Sequence, residues 1–220
     1  MNDQDWEALL GAVDRFQELC PEGLVFIRGI AVYAYARSKE ETAAFAAQSH
    51  DADFMITRSD FIELRDITMM TANKRLSKHQ FVEAGFEFDV YVEGQTDLVV
   101  PVDEAVAYSE IRSGLRVACI EHLLILKAKA LQDRKGTSKG NKDEDDMVRI
   151  LLVAERIDGE RLARLTEDAL TEISRAVEGD APLRLARGNS HLAKNLRSKA
   201  RARLEDVKTV FSYSIGGSEP

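Results

Sequence analysis

Asp51 and Asp53 lie two residues apart in the short run Asp51-Ala52-Asp53-Phe54-Met55-Ile56, which reads as a β-strand. Side chains alternate faces along a strand, so both carboxylates point the same way. Two carboxylates side by side repel each other unless a base, solvent or a metal compensates. Magnesium prefers hard oxygen ligands of this kind, with substrate phosphates completing its shell. A third acid, Asp89, falls in Phe86-Glu87-Phe88-Asp89-Val90-Tyr91, where apolar and polar residues alternate. If that strand lies beside the 51–56 strand, Asp89 joins the pair. Three carboxylates can hold two magnesium ions about 3.5–4 Å apart and clamp the attacking and leaving oxygens of a displacement.

An anion-binding end precedes the acids. Leu24-Val25-Phe26-Ile27 is a continuous apolar run of the kind a buried strand uses. Gly29 follows it and permits close backbone approach. The helix read over residues 30–37 then offers unpaired N–H groups to a phosphate, and Arg28 stands beside them as a phosphate partner.

The elements that must position these groups are legible in outline. Trp6, Leu9, Leu10, Val13, Phe16 and Leu19 recur at helical spacing, and Pro21-Glu22-Gly23 ends that helix. Residues 38–48 are polar and alanine-rich, a helix or a loop. Ser59-Asp60 can cap a helix running to about residue 72. Residues 79–82 and 86–92 flank Ala84-Gly85, which predicts a hairpin, and residues 115–119 form one more short strand. Helices then follow over 121–134, about 143–155, 159 to about 178 and about 190–211, with a polar loop at 135–141. The order predicts an α+β (α/β) class: a mixed sheet first, with a helical C-terminal half. The boundaries expected are a core over residues 1–118, a helical domain over 119–215 and a disordered tail over 216–220.

Composition narrows the function classes. The chain has 220 residues, 45% hydrophobic and 31% charged, with a formal net charge of −8. That is ordinary globular composition. An acidic chain binds nucleic acid only through a local basic patch. No apolar run approaches the roughly 20 residues of a membrane helix, and the acidic start is not a secretory signal. Cys20 and Cys119 read as buried thiols of a reducing, cytoplasmic setting.

Phe26-Ile27-Arg28-Gly29, then Ser49-His50-Asp51-Ala52-Asp53-Phe54, resembles the nucleotidyltransferase superfamily, and within it the AbiEii-like toxins of type IV toxin–antitoxin systems. That branch carries Gly-Gly or Gly-Ser before a helix and Ser-x-Asp-x-Asp on the next strand. The second half is similar too: Leu124 to Ala130 with Lys127, then Arg134, then Lys142-Asp143-Glu144-Asp145-Asp146-Met147, looks like a lysine helix followed by Lys-Asp-x-x-Asp. The resemblance spans roughly residues 24–153. It implies a minimal nucleotidyltransferase core using NTP and Mg2+. Asp51, Asp53 and Asp89 would be the metal ligands, with Asp89 the third acid or base. Gly29 and Ser49 would lie at the nucleotide. Lys127 and Lys142 would neutralise the triphosphate, and Asp143 and Asp146 would orient them or the substrate. It also implies a cognate antitoxin and an acceptor such as tRNA or protein. Ile30 departs from the pattern, which has Gly or Ser there.

Taken alone, Lys127 can equally be a solvated helix lysine, and Asp143 to Asp146 an acidic first turn. Arg184, Arg187, His191, Lys194, Arg197, Lys199, Arg201, Arg203 and Lys208 concentrate positive charge near the C-terminus. Such a helix can hold RNA phosphates, or it can be a solvated face. Two further readings stand beside the toxin-like enzyme. One is the same chemistry on a small molecule, as in aminoglycoside nucleotidyltransferases. The other is a non-catalytic descendant that binds nucleotide or a partner.

Overall fold

The computed structural model describes residues 3–21, 23–47 and 51–216. The chain divides into two compact units between Cys119 and Ile120. Unit 1 holds every strand. Its elements are α1 (Asp3–Leu19), β1 (Leu24–Ile27), α2 (Arg28–Arg37), α3 (Glu40–Ala43), β2 (Asp51–Ile56), α4 (Arg58–Ile67), β3 (Thr71–Asn73), β4 (Lys78–Glu83), β5 (Phe86–Val92), α5 (Val102–Ala107), β6 (Glu110–Arg112) and β7 (Leu115–Val117). The seven strands form one mixed sheet in the order β3-β4-β5-β2-β1-β7-β6. The β2/β5 and β1/β7 pairs are parallel and the other four antiparallel.

Alternation along the strands sorts the residues onto two faces. On one face Phe26, Phe54, Phe81 and Phe88 meet each other and Phe16 of α1. Phe81 and Phe88 stack at 4.8 Å, Phe26 and Phe54 meet edge to face at 5.6 Å, and Phe16 meets Phe88 at 5.6 Å. Burying each of these rings contributes about 1.5–3 kcal/mol. A register slip of one residue would turn them to the other face, so the rings fix which way the aspartates point. The Ala84-Gly85 turn, with φ of +50° and +82°, has both central residues left-handed, as a two-residue hairpin turn requires.

Several boundaries differ from the sequence expectation. The helix expected from Ser59 to about 72 is capped by the Thr57 hydroxyl, which accepts from the Asp60 amide, and ends at Ile67. Residues 71–73 then pair as the edge strand β3. Both β3 and β6 are three residues long, too short for a periodicity to announce them. In the Phe/Asp hairpin, β4 starts one residue earlier than expected, at Lys78.

Unit 2 is helical: α6 (Ile120–Arg134), α7 (Ser138–Val153), α8 (Glu167–Glu178), α9 (Ala181–Leu185) and α10 (Ser190–Gly216). The 159–178 helix of the sequence reading is a 3-10 turn at Glu160–Leu162 followed by α8. Gly216, assigned to the tail, closes α10, and residues 217–220 lie outside the described residues. α7 starts about five residues earlier than expected because Thr137 caps it, its hydroxyl accepting from Gly140 N at 3.0 Å. A Cβ at Gly140 would sit 2.4 Å from the Arg134 carbonyl oxygen. Gly140→Ala is therefore expected to lower unfolding free energy by about 1–3 kcal/mol in urea titration, because the overpacking is against backbone. Among the described residues, no helix is long and apolar enough to cross a membrane.

Candidate functional site

The parallel register of β2 and β5 places Asp51 opposite Glu87, Asp53 opposite Asp89 and Met55 opposite Tyr91. All six share the face opposite the Phe cluster. Asp53 and Asp89 are thus neighbours across strands about 4.8 Å apart. Asp53 is 6% exposed, Asp89 half-buried and Asp51 exposed at the outer end of β2. The sequence expectation that the three acids share a face holds geometrically.

Each of the two inner carboxylates has a cation of its own. Arg28 Nη1 meets Asp53 Oδ1 at 3.0 Å, and its guanidinium lies 4.9 Å from the Tyr91 ring centroid. The Tyr91 hydroxyl donates to the same oxygen at 3.4 Å. Burial foremost, then the Asp53 charge, pushes the Tyr91 phenol well above its ordinary value, with Arg28 opposing. Tyr91 therefore stays protonated and a donor. Lys78 Nζ pairs with Asp89 Oδ2, and Gln80 Nε2 donates to Asp89 Oδ1 at 2.8 Å. Tyr91, Lys78 and Gln80 were not among the sequence-derived site residues.

The phosphate end has the expected connectivity, with one addition. α2 begins directly after β1, and its N-cap residue Ile27 makes no side-chain cap hydrogen bond. Backbone amides at a helix N-terminus, with Gly29 in the first turn, suit an anion. Arg28, at the junction, has φ of +59°, a left-handed conformation that costs a non-glycine residue about 1–3 kcal/mol. Its ion pair with Asp53 and its stacking on Tyr91 hold it there. The departure at position 30 has a structural reason: the Ile30 side chain is fully buried in the core. Ser49 and His50 lie outside the described residues.

Among the described residues, no group of three His, Cys, Asp or Glu converges on one metal-sized site. Arg28 pairs with Asp53 and Lys78 with Asp89. The donor set still suits magnesium, which is commonly held by one or two carboxylates plus substrate phosphates. Asp51 and Asp53 offer all-oxygen donors on one face, with Asp89 adjoining.

In unit 2 the structure gathers Lys127, Asp143 and Asp146 into one network. Lys127 Nζ donates to Asp146 Oδ2 at 2.6 Å and Asp143 Oδ1 at 3.0 Å. Arg149 meets Asp146 at 2.7 Å, and Arg134 meets Asp143 at 3.4 Å. Lys127 is only 5% exposed. Its ammonium ties α6 to α7 through these two carboxylates. Asp143 and Asp146 are likewise turned inward. Lys142, exposed on α7, has no ion-pair partner among the described residues.

The basic C-terminal stretch is largely engaged. Arg184 is held by Glu144 and Asp145, Arg201 by Glu178, Arg203 by Asp206 and Lys208 by Glu205. Arg197 donates to the carbonyls of Val177 and Gly179. Much of the charge counted along the sequence is neutralised or capping backbone, which weakens this helix as a phosphate surface.

The fold and site together define an α+β protein with a carboxylate-bearing sheet face beside the N-terminus of α2. No protein-family model matches the chain, and no curated protein matches it. Among solved structures it is similar to one reported as the solution structure of antibiotic-resistance factor ANT(2'')-Ia, at 10% identity and a TM-score of 0.45, over 94% of this chain and 98% of that one. A likeness this loose carries nothing about activity, and the functional reading rests on the site itself.

Proposed function

We propose that the chain is a nucleotidyltransferase that moves NMP from an NTP to an acceptor hydroxyl. The observation carrying this reading is the register of β2 and β5, which sets Asp53 beside Asp89, with Asp51 on the same face and the start of α2 at the end of the neighbouring β1. The first-turn amides of α2 and the Arg28 guanidinium would bind the triphosphate, Arg28 exchanging Asp53 for a phosphate oxygen. Asp51 and Asp53 would hold magnesium, which when bound neutralises charge on the phosphate oxygens. Asp89 would take the acceptor proton, its carboxylate held in place by Gln80 and Lys78. The acceptor oxygen bonds to the α-phosphorus as the bond to the β-phosphate oxygen breaks, and pyrophosphate leaves. Positioning and charge stabilisation account for most of the rate in such chemistry.

A role for Lys127 or Lys142 at the triphosphate follows from the sequence resemblance alone. An antitoxin and a toxin role follow from the sequence resemblance alone. The test uses magnesium, each α-labelled NTP in turn, and three acceptors: total tRNA, the protein itself and an aminoglycoside. Label transfer with pyrophosphate release is expected from at least one NTP. No transfer and no pyrophosphate from any NTP would overturn the reading.

A further inference from the structure

Arg28 stands at the junction of β1 and α2, one residue after Ile27, the Cα partner of Asp53. Alternation along β1 would send the next side chain to the Phe face. The left-handed φ of +59° at Arg28 breaks that alternation, and the guanidinium reaches the aspartate face instead. There it meets Asp53 Oδ1 at 3.0 Å and lies 4.9 Å from the Tyr91 ring centroid. Tyr91 follows Asp89 on the same face of β5, so its ring stands diagonal to Asp53 and within reach of it. Its hydroxyl donates to the same Asp53 oxygen at 3.4 Å. Backbone strain of this kind gathers at ligand clamps and switch regions, where the surrounding contacts hold it in place.

The Asp53 side chain is 9% exposed and the Arg28 side chain 25% exposed. The guanidinium is therefore the more open of the two, and it lies beside the start of α2. A divalent cation binding Asp53 has to displace this guanidinium or sit within a few ångströms of its charge, where like charges repel. A polyphosphate at the α2 N-terminus offers the guanidinium a more highly charged partner that accepts two hydrogen bonds at once. The guanidinium can pass from carboxylate to phosphate while its face stays on the Tyr91 ring. The Tyr91 hydroxyl keeps its hold on Asp53 throughout. One movement then gives a cation to the phosphate and frees the carboxylate.

We propose that Arg28 is a latch closed on Asp53, that Tyr91 is the positioning residue on which it pivots, and that an anionic polyphosphate opens it. Closed, the latch keeps the affinity of Asp53 for a divalent cation low. Open, it releases that affinity, so cation and polyphosphate each raise the other's binding by the same factor. That the opening anion is a nucleoside triphosphate rests on the proposed nucleotidyl transfer, but the closure of Asp53 by Arg28 does not.

The experiment is a titration of the full chain with Mn2+ alone, without nucleotide, read from the EPR signal of the free ion. Arg28→Gly removes the guanidinium and suits the left-handed backbone, so the variant is expected to fold. It is expected to bind Mn2+ about tenfold more tightly than wild type. Arg28→Gly/Asp53→Asn is expected to lose that gain, which places it at Asp53. Tyr91→Leu leaves every charge in place but removes the ring under the guanidinium, and is expected to bind Mn2+ about threefold more tightly than wild type. An effect of net charge alone would leave that variant at wild-type affinity. Inorganic triphosphate titrated by calorimetry in EDTA gives the other half: Arg28→Gly is expected to lose about tenfold in affinity. Thermal melts check that each variant folds. The proposal is overturned if Arg28→Gly binds Mn2+ no more tightly than wild type, if the gain survives Asp53→Asn, if folded Tyr91→Leu matches wild type, or if triphosphate affinity does not depend on Arg28. Label transfer from NTP decides the nucleotidyl reading separately. Its failure would leave the Mn2+ result standing.

Discussion

Asp53→Asn is expected to lower kcat/KM for nucleotide transfer by about a thousandfold, roughly 4 kcal/mol of transition-state stabilisation. The substitution keeps size and shape and can keep the Tyr91 hydrogen bond, so packing changes little. It removes the charge that orders Arg28 in the resting protein and that would join Asp51 around magnesium. Two consequences separate this from a purely structural role. If Asp53 only neutralises Arg28, the variant loses stability because a part-buried guanidinium is left unpaired, while transfer by the folded fraction stays near wild type. If Asp53 is a ligand, transfer collapses even where thermal melts show the variant folded, and raising magnesium restores little of it. Single-turnover transfer measured beside melting curves reads the two apart. Transfer within about threefold of wild type would remove Asp53 from the chemistry.

The aspartate face was legible in the sequence because it depends on a local rule. The alternation of Phe88 with Asp89, and of Ala52 and Phe54 with Asp51 and Asp53, fixes the faces before any tertiary contact is known. The two-residue turn at Ala84-Gly85 fixes more than the sequence reading drew from it. Pairing Glu83 with Phe86 across that turn puts Gln80 opposite Asp89, so Gln80 and Lys78 could have been found by counting back along β4. Other features had no local signal. Strands of three residues carry no period, which hid β3. Thr57 and Ser59-Asp60 are all good cap residues, and only the backbone turn decides between them. In the C-terminal stretch, Arg203 with Asp206 and Lys208 with Glu205 are spaced three apart, so neutralisation there could be read from spacing. The pairing of Arg201 with Glu178 and of Arg184 with Glu144 could not, since it depends on how α8, α9 and α7 meet α10 and each other.

Lys127→Met is expected to destabilise the protein by about 3–5 kcal/mol in urea titration. Removing the ammonium leaves the side chains of Asp143 and Asp146, 4% and 3% exposed, facing each other with only Arg134 and Arg149 at their flanks. Burial opposes the charge on Lys127, but Asp146 and then Asp143 outweigh it and raise its pKa above the ordinary 10.5. That contribution is complete below 10.5 and fades as pH climbs through the folded-state value. Asp146 answers in the opposite direction: burial pushes it up, yet Lys127 first and Arg149 next hold it below 3.8. Its contribution is present above 3.8 and is lost as pH falls through the lower folded-state value. The cluster therefore supports wild type across the interval between those two ordinary values, and the Met variant should lose that support throughout, with a shallower acid limb. If Lys127 instead served the triphosphate directly, the Met variant would keep its urea midpoint at neutral pH and lose magnesium–NTP affinity. Urea titrations at three pH values, with nucleotide calorimetry on the folded variant, distinguish a helix-ordering lysine from a phosphate-binding one.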